Sequence, residues 1–310
     1  MRTNIKFTIA IPAYKKEFLR QCITSILSQS YPDFEVLIID DCSPENLKSI
    51  VEEFHDSRLH YERNSKNCGS YNVVENWNKC LDRAKGDFII CLGDDDMLPS
   101  KSLEMYVEKI QKYPDVDAFH ARTLLIDPKD HPYYITSLRS ERQSMLDFMR
   151  SRFDGELEFI GDFCYRTNKL KDIGGYYWLP LAWGADDMTA YMMSKDKGIV
   201  NLAEPSFCYR TNPYSISSTG NLVSKAEAVR EQQSAIKKML NEVTVNSMAD
   251  QLTLDFLKDK IASNFDRNIS GYISEDIKKS FFNLFNWLKN RDKLSLNKKV
   301  VLKALAYYIK

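Results

Sequence analysis

Three consecutive aspartates, Asp94, Asp95 and Asp96, directly follow an apolar run over 88–92. Carboxylate oxygens are hard ligands that suit Mg²⁺ or Mn²⁺, and such sites often combine one or two protein carboxylates with the phosphates of a ligand. A cation in this position would stabilise the charge of a departing diphosphate. The alternative is a solvated turn that caps the next helix. An EF-hand loop is excluded, because Pro99 and Met105 occupy the positions that need glycine and glutamate.

Other aspartates lie where a strand ends or a helix begins. Asp41 follows the apolar run over 34–39, where its carboxylate can accept a hydrogen bond from the N3–H of a uracil or serve as a turn residue. Asp186 and Asp187 open a helical segment, where a carboxylate can remove a proton from a hydroxyl or simply favour the helix dipole. No G-x-G-x-x-G or G-x-x-x-x-G-K-[ST] loop follows a predicted strand, which argues against dinucleotide oxidoreductases and P-loop enzymes.

The elements that position these residues alternate between strands and helices. Apolar runs predict strands at 7–11, 34–39 and 88–92, and a short strand at 58–62 and another at 116–121 complete the predicted set. Amphipathic stripes predict helices at 15–29, 71–84 and 100–112. We therefore expect an α/β fold with a doubly wound, mostly parallel sheet and helices on both faces. Its ligand site should lie beyond the carboxyl ends of the strands.

From about residue 222 the pattern becomes helical, which predicts a first domain over 1–220 and a helical C-terminal subdomain over 221–310. The predicted helices of this subdomain are 222–240, 247–264, 272–289 and 296–309. The net charge of the chain is zero, so the composition gives no indication of a nucleic-acid partner. The charge is uneven, however, because residues 277–310 hold 9 Lys and Arg against 1 Asp.

Seven cysteines, an odd number without a C-x-x-C pair, indicate a reducing compartment. The chain does not begin with a charged and then apolar leader. It also has no apolar run near the ~18 residues that a membrane span needs. We expect a cytoplasmic protein, with a peripheral position at the inner face of the membrane as an alternative.

Two segments carry a family resemblance: TIAIPAYKKEFLRQCITSILSQSYPDFEVLIIDDCSPENL and GDFIICLGDDDMLP. Their motifs and order resemble the nucleotide-sugar-binding half of the GT-A glycosyltransferases of family two, over roughly residues 5–218. The resemblance implies a nucleotide-diphospho-sugar donor, with UDP favoured, a divalent cation (Mn²⁺ or Mg²⁺) and inversion at the anomeric carbon. It implies that several residues hold the nucleotide: Pro12, Tyr14, Asp41, Arg63 and Asp94. It also implies that Asp95 or Asp96 holds the metal.

The second half of the chain resembles the acceptor side of the same family. WGADDMTAYMM is similar to a Glu-Asp motif in which Ala185 replaces the glutamate, so Asp186 is the first candidate for the base and Asp187 the second. CYRTNPYSIS places Asn212 where the family has histidine, and an amide oxygen can coordinate a hard cation but cannot carry a proton. Trp178 and Trp183 flank the candidate base, where aromatic faces pack against sugar rings or fill a core.

The expected acceptor is a glycan or a lipid-linked glycan in surface-polysaccharide assembly, such as capsule or O-antigen. The basic tail over 277–310 contains one apolar stripe. This stripe predicts an interfacial helix at an anionic membrane. Alternatively, it packs on the first domain or on a second subunit in a homodimer. The stripe is Phe281, Leu284, Phe285 and Leu288. Two alternative functions remain: a non-catalytic nucleotide- or sugar-binding protein, which Ala185 favours, and a nucleotidyltransferase, which lacks its glycine-rich loop here.

Overall fold

The computed structural model describes residues 4–212, 215, 218, 220–245 and 247–309. Within this part of the chain, nine strands form one mixed sheet. The strands are β1 (Phe7–Ala13), β2 (Phe34–Asp40), β3 (Leu59–Arg63), β4 (Phe88–Cys91), β5 (Ala118–Ile126), β6 (Pro132–Ile135), β7 (Arg142–Gln143), β8 (Phe163–Arg166) and β9 (Ile199–Arg210). Their order is β3-β2-β1-β4-β8-β5-β9-β7, and β6 pairs with β5.

Eleven helices of four or more residues accompany the sheet in the described residues. They are α1 (Leu19–Leu27), α2 (Lys48–Val51), α3 (Val73–Arg83), α4 (Ser102–Lys112), α5 (Met145–Phe153), α6 (Thr167–Asp172), α7 (Ala185–Ser194), α8 (Leu222–Glu242), α9 (Met248–Lys279), α10 (Asn283–Lys289) and α11 (Lys298–Ile309). None of these helices combines the length and the apolar character that a membrane crossing requires.

The first four strands of the chain run parallel to one another, and their order in the sheet is β3-β2-β1-β4. In this register Ala13 of β1 lies beside Asp40 of β2, and Asp40 lies beside Arg63 of β3. The carboxyl ends of these strands therefore meet at one edge of the sheet. β8 then pairs antiparallel with both β4 and β5, so the order of the sheet is mixed beyond β4.

Both faces of the sheet are covered, as the continuous apolar runs predict. Ile9 and Ile11 of β1 belong to one buried cluster with α1 and α4. Ala10, which points to the opposite face, belongs to a second cluster with Trp77 and Cys80 of α3. Because side chains alternate along the strand, β1 packs against helices on both faces of the sheet. This arrangement confirms the predicted α/β class.

The C-terminal helices differ from the prediction at one point. The sequence predicts separate helices over 247–264 and 272–289, but α9 runs without a break through Gly271, and the shorter α10 follows it. An apolar stripe at helical spacing continues on both sides of the glycine, and its residues are at most 5% exposed: Leu257, Ile261, Phe265, Ile269, Ile273 and Ile277. Their burial outweighs the roughly 1 kcal/mol that a glycine costs inside a helix. These residues share one core with Met188 of α7.

Candidate active site

Asp40, at the end of β2, organises the loops at the edge of the sheet. Its buried carboxylate accepts hydrogen bonds from the Arg63 guanidinium at 2.5 Å, the Tyr61 hydroxyl at 2.6 Å and the Ser43 amide at 2.7 Å. Burial, followed by the charge of Asp40, raises the pKa of Tyr61 to about 12. Arg63 also donates to the Ser43 carbonyl at 2.9 Å, so its exposed side chain is held over the loop after β2.

Asp41 is the next residue, and its carboxylate is fixed by the segment after β3. The Cys68 amide donates to it at 3.0 Å and the Asn64 side chain at 2.8 Å. Asn67 donates to the Asp41 carbonyl at 2.6 Å. The sequence indicates Arg63 and Asn64 as site residues, because they directly follow a predicted strand. No pattern in the sequence identifies Asn67 or Cys68 as partners of Asp41.

Pro12 and Tyr14 lie at the end of β1, beside the same loops. Pro12 is in register with Ile39 of β2. The Tyr14 carbonyl accepts a hydrogen bond from the Ser43 hydroxyl at 2.5 Å, and its ring is 44% exposed. The nucleotide-binding candidates on β1, β2 and β3 are therefore brought together, with an open aromatic face beside them.

The three aspartates after β4 are tied to two other loops. The Asp94 carboxylate accepts from the backbone amides of Tyr14 and Lys15, both at 2.7 Å. The Asp96 carboxylate accepts from the Arg210 amide at 2.9 Å. The aspartate turn therefore bridges the end of β1 and the end of β9.

Asp95 is positioned between these two contacts. The Asn212 side chain donates to its carboxylate at 3.2 Å, and the Arg210 guanidinium donates to its carbonyl at 2.7 Å. The Arg210 guanidinium itself is buried, pairs with Asp130 at 2.6 Å and stacks over Phe18 at 4.3 Å. Arg210 thus braces the backbone of the turn, while its charge is directed away from the Asp95 carboxylate.

The electrostatics of this turn fit a hard cation. Burial, followed by the negative charge of Asp95, raises the pKa of Asp94 to about 6 and the pKa of Asp96 well above its usual range. Like charges held this close are costly unless a positive charge joins them. Carboxylate oxygens are the donors that Mg²⁺ and Mn²⁺ prefer. These residues could therefore hold the divalent cation.

Asp186 and Asp187 lie in the first turn of α7, after Gly184, whose φ of +81° favours glycine. The buried Asp187 carboxylate accepts from the Arg152 guanidinium at 2.7 Å and from the Gln232 side chain at 3.2 Å. Both partners come from distant elements, α5 and α8, and no pattern in the sequence identifies them. Asp187 is therefore locked in an ion pair.

Asp186 has a different environment from its neighbour. Its carboxylate accepts from the Asp187 amide at 2.9 Å, and no cationic side chain pairs with it among the described residues. Burial, followed by the charge of Asp187, raises its pKa to about 8, although Arg152 opposes the rise. A carboxylate with a pKa near the working pH is suited to general base catalysis.

A cavity of about 530 Å³ joins the two groups of aspartates. Asp96, from the turn after β4, lies in its wall together with Asp186 and Asp187. Trp183 and Tyr272 line it as well, and the Trp183 indole donates to the Tyr272 hydroxyl at 2.8 Å. The cavity wall thus combines carboxylates from the aspartate turn and from α7 with aromatic side chains, one of them from α9.

The second tryptophan candidate lies elsewhere. Trp178 is 42% exposed, and its ring centroid lies 5.9 Å from that of Tyr71. It is outside the cavity wall that the described residues form. Of the two aromatic residues expected to face an acceptor, the structure brings only Trp183 to the candidate base.

A buried group of His120, Glu158 and Asp162 could also hold a metal ion. The His120 ring lies 2.7 Å from Glu158, and Glu158 also accepts from the Arg139 guanidinium at 2.6 Å. Burial alone would raise the pKa of Glu158, but His120 and Arg139 lower it. The other ring nitrogen of His120 lies 3.0 Å from the Asn201 side chain. These three side chains are buried and their donor atoms are held by one another, by Arg139 and by Asn201, whereas the Asp95 carboxylate is half-buried and its hydrogen bond comes from Asn212. The aspartate turn is therefore the better cation site.

The mostly parallel sheet with helices on both faces and an aspartate turn at its carboxyl edge defines a nucleotide-diphospho-sugar transferase fold of the GT-A type, as the sequence predicts. Residues 8–174 match the family model described as Glycosyl transferase family 2. This match covers more than half of the 310 residues, and the chain belongs to this family.

Similar proteins support the same fold. TarS of Staphylococcus aureus (strain MW2), a poly(ribitol-phosphate) beta-N-acetylglucosaminyltransferase, is 24% identical over 261 residues, or 82% of this chain and 44% of TarS. The crystal structure of S. aureus TarS 1–349 in complex with UDP-GlcNAc has a TM-score of 0.66 at 18% identity, over 98% of this chain and 89% of that chain. The mannosyltransferase PcManGT from Pyrobaculum calidifontis, in complex with GDP-Man and Mn²⁺, has a TM-score of 0.57 at 14% identity, over 99% and 86%. This chain spans less than half the length of the curated relatives that it matches, 44% for TarS.

Proposed function

We propose that this chain is a metal-dependent, inverting glycosyltransferase that moves a sugar from a nucleoside-diphosphate donor to a hydroxyl of a surface polymer. The observation that carries the proposal is the cavity whose wall contains both Asp96 and Asp186. A transferase needs a site for the diphosphate and a base for the acceptor within reach of one sugar ring. The family membership of the chain and the fold it shares with TarS support the same conclusion.

The nucleotide is proposed to lie over the ends of β1, β2 and β3. Tyr14 offers an exposed ring for stacking on the base, beside Pro12. Asp41 accepts from the N3–H of the base, and its fixed position on the segment after β3 orients it for this purpose. Arg63 remains exposed beyond its contact with Asp40 and is available to the nucleotide. A UDP donor is favoured, since TarS was crystallised with UDP-GlcNAc.

The divalent cation is proposed to lie on the aspartate turn. Asp95 is its first ligand, because the carboxylates of Asp94 and Asp96 accept hydrogen bonds from backbone amides. Within the described part of the chain, the Asp95 carboxylate accepts a hydrogen bond from the Asn212 side chain. Asp96 supplies the second carboxylate, and Asp94 orients the loop after β1. Asn212 holds the Asp95 carboxylate through its side-chain N–H, and it joins the ligands where its amide turns its oxygen to the cation. When bound, the cation supplies positive charge to the departing diphosphate.

Asp186 is proposed as the general base. It accepts the proton of the acceptor hydroxyl as that oxygen attacks the anomeric carbon from the side opposite the diphosphate, which inverts the configuration. Asp187 is a positioning residue, because its ion pair with Arg152 holds the start of α7. Its charge also keeps the pKa of Asp186 high enough for a base.

The acceptor is proposed to lie against Trp183 and α9. Asn264 and Tyr272 line the cavity on one face of that helix, two turns apart, and Gln232 of α8 lies beside Asp187. We therefore propose a nucleotide-sugar-binding and catalytic domain over 1–220, with a helical subdomain over 221–310 that completes the acceptor wall. A cytoplasmic location is supported by the seven cysteines, which are all unpaired.

The experiment is a donor panel in which release of nucleoside diphosphate is measured with Mn²⁺ or Mg²⁺ present. The wild type should turn over one donor, and Asp186→Asn should bind that donor with unchanged affinity but lose transfer. Asp95→Ala should lose both transfer and cation-dependent binding. Binding without hydrolysis or transfer for every donor and acceptor would instead support a non-catalytic sugar-nucleotide-binding protein.

A further inference from the structure

An exposed apolar patch lies on α10 and on the turn before it. Phe281, Phe282, Phe285 and Leu288 are 51, 78, 67 and 44% exposed. The i, i+4, i+7 spacing places Phe281, Phe285 and Leu288 on one side of the segment. Single exposed apolar residues are ordinary, but a group of large ones within one short segment indicates a binding surface.

The opposite side of α10 is firmly held. Trp287 is fully buried, and its indole donates to the Asp276 carboxylate at 2.9 Å. Asn283 donates to the Asp276 carbonyl at 3.0 Å, and Leu284 packs against the core. The exposed side of the helix therefore differs from the predicted stripe, because Leu284 faces the core and Phe282 faces solvent. The patch points to solvent on an anchored helix.

The surface around the patch is strongly basic. Lys278 and Lys289 flank it, and within the described part of the chain no ion pair involves either of them. The ring centroids of Phe281 and Tyr308 lie 6.1 Å apart, so the end of α11 lies beside the patch.

We propose that the patch of Phe281, Phe282, Phe285 and Leu288, with Lys278 and Lys289 beside it, docks on a membrane surface that contains anionic lipids. Apolar side chains and adjacent lysines are the two signals that stable attachment at a lipid interface requires. A second copy of this chain is a poor occupant, because it would place two strongly basic segments against each other. This attachment goes beyond the proposed transfer reaction and does not depend on it.

The test is co-sedimentation of the full chain with vesicles at about 0.1 M salt, where the Debye length is about 10 Å. Vesicles of phosphatidylcholine with phosphatidylglycerol should bind the protein, and vesicles of phosphatidylcholine alone should not. The double variants F282S/F285S and K278S/K289S should each lower the partition constant by about tenfold or more. The charge-matched control K129S/K195S, on exposed lysines of the first domain, should bind like the wild type.

Equal binding to both kinds of vesicle, or wild-type binding by F282S/F285S, overturns the proposal. Light scattering in solution supplies the second readout. A wild-type dimer that F282S/F285S converts to a monomer would mean that a second copy covers the patch. All four substituted side chains are exposed, so we expect an unchanged Tm, which establishes that each variant is folded. Because vesicle binding needs no nucleotide, this test also stands if the proposed transfer reaction fails.

Discussion

Transfer by this chain is expected to rise with pH through about 8, because Asp186 must lose its proton before it can act as the base. Burial and the charge of Asp187 raise the pKa of this carboxyl to about 8. For that pKa, roughly a tenth of the carboxyl is ionised at about pH 7 and roughly nine tenths at about pH 9. The rate at saturating donor should therefore increase on the order of tenfold between these values.

Two neighbouring substitutions should move this inflection in opposite directions. Asp187→Asn removes the negative charge that raises the pKa of Asp186, and it frees Arg152 to lower that pKa further. The inflection should fall by about one pH unit or more. Arg152→Gln removes the opposing positive charge, so the inflection should rise. In both variants the base itself is intact.

The assay is release of nucleoside diphosphate, followed across the pH range at fixed Mn²⁺, with donor and acceptor saturating. Asp186→Asn should lower kcat by about 10²-fold or more and leave a profile without the inflection. The same variant should raise Tm at high pH, because the folded pKa lies above the ordinary value of a carboxyl. Its burial therefore costs stability increasingly as the pH rises toward about 8. An inflection that neither neighbour moves would refute Asp186 as the titrating base.

Asp95→Ala should abolish the Mn²⁺-dependent part of nucleotide binding in calorimetry and leave the fold unchanged in circular dichroism. The reason is that the half-buried Asp95 side chain is held by Asn212, and the contact with the buried Arg210 uses the Asp95 backbone carbonyl; retained cation dependence would move the site elsewhere. Gly184→Ala should destabilise the protein by about 1 kcal/mol or more in denaturant titration, because its φ is +81° and a Cβ would lie 2.5 Å from the Gln232 side chain. Trp287→Ala should lower the free energy of unfolding by about 3–5 kcal/mol, and the matched surface change Phe285→Ala by less than about 0.5 kcal/mol. Equal effects of the last two would mean that α10 is not anchored as described.

Three of the strands that carry the site could be predicted because their apolar runs over 7–11, 34–39 and 88–92 are nearly unbroken and are followed by Pro12, Asp40 and Gly93. Asp41 and Asp94 follow β2 and β4, and the parallel order then brings both to one edge of the sheet. The predicted GT-A fold and family are confirmed. The roles of the individual residues remain predictions.

Tertiary contacts could not be predicted in the same way. Arg152 and Gln232 reach Asp187 from 35 and 45 residues away, and nothing in their local pattern distinguishes them from other surface residues of amphipathic helices. Trp178 and Trp183 both precede Asp186 by a few residues, but only Trp183 contacts Tyr272 of α9 and lines the cavity. The break predicted near Gly271 is wrong because burial on both sides outweighs a local propensity.

The most direct test of the central claim is a thermal-shift panel of UDP, GDP, dTDP and CMP, each with Mn²⁺ and with EDTA. A ligand at about 100 times its Kd stabilises the folded state by about 2.7 kcal/mol, which is a rise in Tm of roughly 4 °C for a chain of 310 residues. The aspartate turn predicts such a rise for one nucleoside diphosphate with Mn²⁺, absent with EDTA and absent in Asp95→Ala. No rise with any nucleotide would leave the three aspartates as a solvated turn and contradict the proposed donor site.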